Sequence, residues 1–109
     1  MLQLLNQFDL KPSVTRDRFE AAWQAFVDHL IASDAALSGG PVFVRCPQSG
    51  YDTDEERGHR FLALIVFRDQ DQADATWAAI EDRAEPIGRL HHAVISLVHD
   101  PVFTFWARN

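Results

Sequence analysis

Residues 60–67 read Arg60-Phe61-Leu62-Ala63-Leu64-Ile65-Val66-Phe67, an unbroken apolar run behind one arginine. A run this short, closed by polar residues, predicts a strand that is apolar on both faces. Alternation sends Phe61, Ala63, Ile65 and Phe67 to one side and Leu62, Leu64 and Val66 to the other. Burying such a side chain is worth ~1.5–3 kcal/mol, so both faces require cover.

The flanking segments supply cover for one face. Residues 2–10 alternate, with Leu2, Leu4, Asn6, Phe8 and Leu10 on one side and Gln3, Leu5, Gln7 and Asp9 on the other, until Pro12 ends the strand. Thr15 is the expected cap of a helix over 15–36, with Phe19, Ala22, Trp23, Phe26 and Leu30 as its apolar stripe. The Ser38-Gly39-Gly40-Pro41 cluster breaks that helix, and a short strand follows over 42–46. Asp69 with Gln72 forms a capping-box pattern for a second helix, whose stripe is Ala73, Trp77, Ile80 and Ala84 and whose end is Pro86-Ile87-Gly88. Trp23 and Trp77 are both expected as core anchors. Residues 90–98 read as another strand apolar on both faces, and 102–106 as a terminal strand after the Asp100-Pro101 bend.

The resulting order is β-α-β-β-α-β with an extra C-terminal strand. It predicts an α+β, ferredoxin-like sandwich with both helices on one face of an antiparallel sheet, forming a single domain over 1–109. One helical layer covers one face only. The economical cover for the other face is a second copy of the same sheet, so the expectation is a homodimer.

Composition narrows the partners. The chain has 109 residues, is 47% hydrophobic, and carries 10 Lys and Arg against 16 Asp and Glu, a formal net charge of -6. That balance opposes nucleic acid and anionic membrane, whose phosphates would be repelled. No window approaches the ~20 apolar residues of a membrane span. The N-terminus lacks the basic start of a signal peptide, and the one cysteine, Cys46, forms no internal disulfide; a cytoplasmic protein is expected.

The element order, the Phe19-Glu20-Ala21-Ala22-Trp23 segment of the first helix and the D-x-x-Q-A-D-A-x-W pattern from Asp69 to Trp77 resemble the dimeric α/β-barrel superfamily. That group includes antibiotic-biosynthesis monooxygenases, stress-responsive barrel proteins and EthD-like proteins. The resemblance covers nearly the whole chain and implies ferredoxin-like subunits whose sheets pair into a barrel. It also implies a small hydrophobic ligand in the barrel cavity, with cofactor-independent, monooxygenase-like chemistry as its enzymatic form. The alternative is a non-catalytic stress-responsive or interaction domain with a packed barrel.

Several side chains are candidates for the cavity. On the strand reading of 90–98, His91 and His92 point to opposite faces, and His92 shares the barrel-facing side with Ser96. An imidazole there is suited to proton transfer near neutral pH. Its alternative role is a hydrogen-bonded core or interface histidine. Asn6 resembles the first-strand Asn that some superfamily members place in their cavity, with Trp77 and His92 as loosely comparable companions. Its alternative is a buried, satisfied amide, which leaves Gln3 and Gln7 to line the cavity. Tyr51 and His59 flank the acidic stretch Asp52-Thr53-Asp54-Glu55-Glu56, read as a solvated loop, and are candidates for the barrel mouth.

Other chemistries fit poorly. An EF-hand loop starting at Asp52 would need Gly at its sixth position and Glu at its twelfth, where Arg57 and Ala63 stand. The five histidines lack zinc-ligand spacing, so no metal or other cofactor is expected. Arg57-Gly58-His59-Arg60-Phe61-Leu62-Ala63-Leu64 matches the RNA-recognition signature at Arg57, Gly58 and Phe61 but loses two of its three aromatics.

Overall fold

The computed structural model describes residues 1–108. The chain forms β1 (Leu2–Leu10), α1 (Arg16–Ala32), β2 (Ser38–Gly39), β3 (Phe43–Val44), β4 (Phe61–Phe67), α2 (Gln70–Glu81), α3 (Ile87–Ile95) and β5 (Val98–Ala107). The sheet is antiparallel throughout and ordered β2-β4-β1-β5, with β3 also on β4. β2 and β3 are two pieces of one strand interrupted around Pro41, so the architecture is the ferredoxin-like α+β sandwich. Among the described residues, no helix is long and apolar enough to cross a membrane.

The helices cover one face. Phe19, Trp23, Phe26, Val27 and Leu30 of α1 pack in one cluster with Leu2, Phe8, Ala63, Ile65 and Phe67 of the sheet, and the rings of Phe8 and Phe19 lie 4.7 Å apart. Thr15 caps α1 by accepting from the Arg18 N–H at 3.2 Å. Trp23 donates from Nε1 to the Gly40 carbonyl at 3.0 Å, which ties β2 to the helix. A Cβ at Gly39 would meet Val27 Cγ1 at 2.5 Å, so only glycine lets β2 approach α1 this closely.

Three expectations require correction. Residues 90–98 are not a strand: α3 occupies Ile87–Ile95. Ile87, Leu90, His91 and Val94 stand at helical i, i+3, i+4, i+7 spacing, and the helix buries Ile87 and Val94. A short apolar run rich in β-branched residues does not separate strand from helix by period alone. Pro86, read as a stop, stands at the start of α3, where its missing N–H is harmless. Because α3 is helical, β5 is the fourth strand of the ferredoxin core beside β1, and no extra strand exists among the described residues.

The second correction concerns Trp77, which is 56% exposed. The inward stripe of α2 is instead Gln72, Ala73 and Thr76. Gln72 Nε2 donates to the Asp34 carbonyl at 2.9 Å and Thr76 Oγ1 to the Ala35 carbonyl at 2.6 Å, so polar side chains face in to satisfy the backbone after α1. The third is the end of α1, at Ala32 rather than position 36. Ser33 caps it, donating from Oγ to the His29 carbonyl at 2.8 Å, and Asp34 follows with φ 58°, a left-handed residue that ends the helix.

Among the described residues, no helix lies on the other sheet face. Ladder register places Leu5 opposite Leu64 and Thr104, Gln7 opposite Leu62 and Val102, and Gln3 opposite Val66 and Trp106. Phe43 joins this face opposite Leu62. The two-faced reading of 60–67 therefore stands, and β5 has the same character. Its Phe103 and Phe105 project on the helix side yet remain half exposed, and Trp106 on the opposite side is 61% exposed.

Candidate functional site

One end of the uncovered face sinks into a hollow of about 260 Å³. Gln7 of β1, Phe43 and Val44 of β3 and Phe61 and Leu62 of β4 contribute to it, together with Arg45, Asp52, Asp54, Arg57 and His59 of the intervening loop. Its size is just below the usual range of small-molecule pockets, ≈ 300–1,000 Å³.

His59 is the buried polar group of the hollow, only 8% exposed. It lies just before β4 and reaches past β1 to β5, where its Nε2 is 2.7 Å from the Asp100 carbonyl and 3.3 Å from Asp100 Oδ2. A carbonyl only accepts, so Nε2 is the donor. Asp100 sits in a bulge of β5, where Asp100 and Pro101 face the single residue Phe8 between the Gln7–Val102 and Asp9–His99 pairs, and its φ is 52°. The bulge turns its carbonyl and carboxylate toward His59. Asp9 Oδ1 accepts from the Arg60 N–H at 3.0 Å, fixing the entry to β4. His59 Nδ1 is buried and has no hydrogen-bond partner among the described residues. An orphaned buried polar atom costs about 1–3 kcal/mol, so it calls for explanation.

The acidic loop is folded around Arg45, while most of its residues stay exposed as expected of a solvated loop. Arg45 donates to both Asp52 carboxylate oxygens, Nε at 2.7 Å and Nη2 at 2.6 Å. It also donates to the carbonyls of Asp54, at 2.7 Å, and Arg57. This two-point contact holds the Asp52 carboxyl below its ordinary range against the opposing effect of desolvation, and holds the Arg45 guanidinium more firmly protonated. Asp54 is lowered chiefly by the Arg57 N–H, with the Glu56 N–H and the Arg57 side chain adding to it. Both carboxylates are thus engaged within the loop.

The candidate residues separate in space. Gln7 and His59 come together in the hollow. Tyr51 stands at the loop tip, 96% exposed. Asn6 is buried on the helix face, where its Nδ2 donates to the Ala63 carbonyl at 3.2 Å. The strand argument for His92 and Ser96 does not hold, because both belong to the α3 region on the helical side: His92 is exposed and Ser96 Oγ donates to the Ala93 carbonyl at 3.3 Å. His91 and His92 are therefore a helical step apart rather than on opposite sheet faces. His91 is half-buried, with Phe26 and Trp77 edge-on at 5.8 and 6.4 Å. Burial first, and the His92 charge second, push its pKa down.

Sequence reasoning missed Arg45, the organiser of the loop. The available signal was a cation at the end of the short apolar run 42–44, seven residues ahead of the Asp52-Thr53-Asp54 stretch. A larger cleft, about 610 Å³, lies between the end of α1 and the start of α2 among His29, Asp34, Arg68, Asp69 and Thr76. It opens broadly, and no orphaned buried side-chain atom lies on it. The smaller hollow is the one that brings two of the candidate residues, Gln7 and His59, together.

The fold is that of ferredoxin-like subunits. No protein-family model and no curated protein matches the chain. Solved structures do. A protein from Arabidopsis thaliana superposes with TM-score 0.74 at 6% identity, over 100% of this chain and 96% of that one. A dimeric ferredoxin-like protein of unknown function from Jannaschia sp. CCS1 gives TM-score 0.69 at 15% identity over 98% of each chain. An antibiotic biosynthesis monooxygenase gives 0.62 at 17% identity over 100% of this chain and 99% of that one. These neighbours share the ferredoxin-like fold that the element order predicts.

Proposed function

We propose that two copies of this chain pair their uncovered sheet faces into a barrel, and that the hollow around Gln7 and His59 receives a small hydrophobic molecule at the end of that barrel. One observation carries the reading. Leu5, Leu62, Leu64, Val66 and Trp106 share a sheet face that no helix covers, and the same face runs into the hollow at Gln7 and Leu62. Apolar side chains on an uncovered sheet mark an interaction surface. Self-pairing through a two-fold axis lets one patch cover itself. The dimeric state of the Jannaschia protein supports the pairing. The likeness to a monooxygenase makes oxidation of the bound molecule the first activity to assay.

Light scattering on the purified protein should return twice the 12.4 kDa subunit mass. Calorimetry with 1-methoxynaphthalene, an apolar probe without a hydrogen-bond donor, should show saturable binding to that dimer. A monomeric mass rejects the barrel, and an absence of saturable binding rejects the ligand reading in favour of a packed interaction domain.

A further inference from the structure

Among the polar side chains that line the hollow, the Gln7 amide alone makes no hydrogen bond to the described residues. We propose that this amide is the specificity group of the site, and that the hollow selects neutral aromatic molecules whose edge carries a donor beside an acceptor, aromatic lactams being the simplest. This rests on the ligand-binding reading above and deepens it, because it names the class of ligand and the side chain that reads it.

The other polar side chains of the hollow are already engaged. Arg45 donates to both Asp52 carboxylate oxygens and to the Asp54 and Arg57 carbonyls. The Asp54 carboxylate accepts from the Glu56 and Arg57 N–H groups, each at 3.0 Å, and from the Arg57 guanidinium at 2.8 Å. His59 donates from Nε2 to the Asp100 carbonyl, and its Nδ1 is buried beyond the reach of anything in the hollow. Arg45 with Asp52 and Arg57 with Asp54 are two opposite-charge pairs. A charged ligand would have to break one of them and strand a partner, whereas a neutral one leaves both intact.

Gln7 is aimed into the hollow by its strand. Its ladder partners are Leu62 on β4 and Val102 on β5, and Leu62 is paired in turn with Phe43, so these side chains share the uncovered face. Gln7, Leu62 and Phe43 line the hollow together. Unlike His59, Gln7 is only partly buried, so a ligand can reach its amide. Its neighbours across both ladders are apolar, and a sheet laid over this face withdraws the amide from water, where an unmet donor or acceptor is costly. A carboxamide holds an N–H and a C=O side by side. It therefore pairs at two points with an edge that presents an acceptor beside a donor, as glutamine does with adenine. A ring lactam has such an edge, and its flat apolar remainder suits the wall of Phe43, Val44 and Leu62. A site that pairs a donor rejects the analogue lacking it, because its own polar group is then left unpaired.

The test is calorimetry on the wild-type protein and on Gln7→Leu. The probes are 2-quinolinone, 1-methyl-2-quinolinone with its donor blocked, 1-methoxynaphthalene with no donor, and 2-naphthoate. In the wild type, 2-quinolinone should bind roughly tenfold more tightly than its N-methyl analogue, the effect of one lost hydrogen bond. In Gln7→Leu that preference should vanish while 1-methoxynaphthalene binds as in the parent. Leucine is of similar size, and position 7 faces away from the helices, so the core of the subunit is untouched. In parallel, the ¹³Cδ resonance of Gln7 in the wild-type protein should move further with 2-quinolinone than with its N-methyl analogue, which carries the same rings. That readout needs no variant.

Equal affinity for 2-quinolinone and its N-methyl analogue overturns the proposal, and binding of 1-methoxynaphthalene then leaves the hydrophobic-ligand reading standing. A preference that survives in Gln7→Leu also overturns it, since another group then reads the donor. Tighter binding of 2-naphthoate than of 2-quinolinone does the same, because it marks Arg45 or Arg57 as an open cation. If no probe binds, the ligand reading and the proposal fall together. If Gln7→Leu drops to monomer, the wild-type resonance decides: a Cδ that moves alike with both quinolinones assigns the amide to the pairing of the sheets and refutes its role in the ligand site.

Discussion

Leu64→Asp puts a carboxylate in the middle of the uncovered sheet face, on β4 opposite Leu5 of β1. These two strands are the inner pair of the β2-β4-β1-β5 order, so Leu64 lies where a facing sheet would bury it most completely. Losing one buried leucine removes ~1.5–3 kcal/mol. A two-fold interface suffers the change twice, so the dimer loses about 3–6 kcal/mol before any cost of burying charge is added. Dissociation should therefore strengthen about 10²- to 10⁴-fold. The subunit itself should survive, because the neighbours that hold the helices, Ala63 and Ile65, point the other way and are untouched. Sedimentation velocity from low micromolar to near-millimolar concentration reads the shift to monomer, and circular dichroism confirms the retained fold. A folded variant that dimerises as tightly as the parent would show that this face is not the interface, and the barrel reasoning would fail with it.

The remaining expectations concern the subunit. Trp23→Ala should lower unfolding free energy by ~3–5 kcal/mol as a large-to-small core change, whereas Trp77→Ala, on an exposed ring, should stay within about 1 kcal/mol; the reverse order in urea titrations contradicts the assigned helix faces. His91 titrates below its ordinary value in the folded chain, so the unfolded chain binds its proton first and stability should fall as pH drops below about 6.5. His91→Phe, which keeps an aromatic contact with Phe26, should weaken that slope, and an unchanged slope assigns it to other groups. Arg45→Ala should speed hydrogen exchange at the Glu56 and Arg57 amides by freeing the loop, with no change at the β1 and β4 amides; unchanged loop amides would remove Arg45 as its organiser.

Much of the fold is legible in the sequence, for identifiable reasons. Residues 60–67 are apolar without interruption, and only a strand in a sheet covered on both sides makes use of that. The stripe Phe19, Trp23, Phe26, Leu30 is equally plain. The pattern fails where polar groups are turned inward to serve the backbone. Gln72 and Thr76 face the core to bond carbonyls after α1, and this rotates the inner face of α2 away from Trp77. It fails again over 87–95, where β-branched Val94 and Ile95 imitate a strand and Pro86 marks a start rather than a stop. The candidate site was half visible. Gln7 follows from simple alternation and His59 from its place beside the loop. The partner of His59 could not be foreseen, because Asp100 reaches it only through a bulge whose register belongs to the paired strands and to neither segment alone.

The pairing of two uncovered sheet faces is tested most directly by isotope-filtered NMR on a mixture of labelled and unlabelled protein, which detects contacts between subunits and ignores those within one. Intermolecular contacts are expected among the methyl groups of Leu5, Leu62, Leu64, Val66 and Val102 and the indole of Trp106. Intermolecular contacts confined to α1, α2 or α3, or a dimer showing none from the sheet, would contradict it.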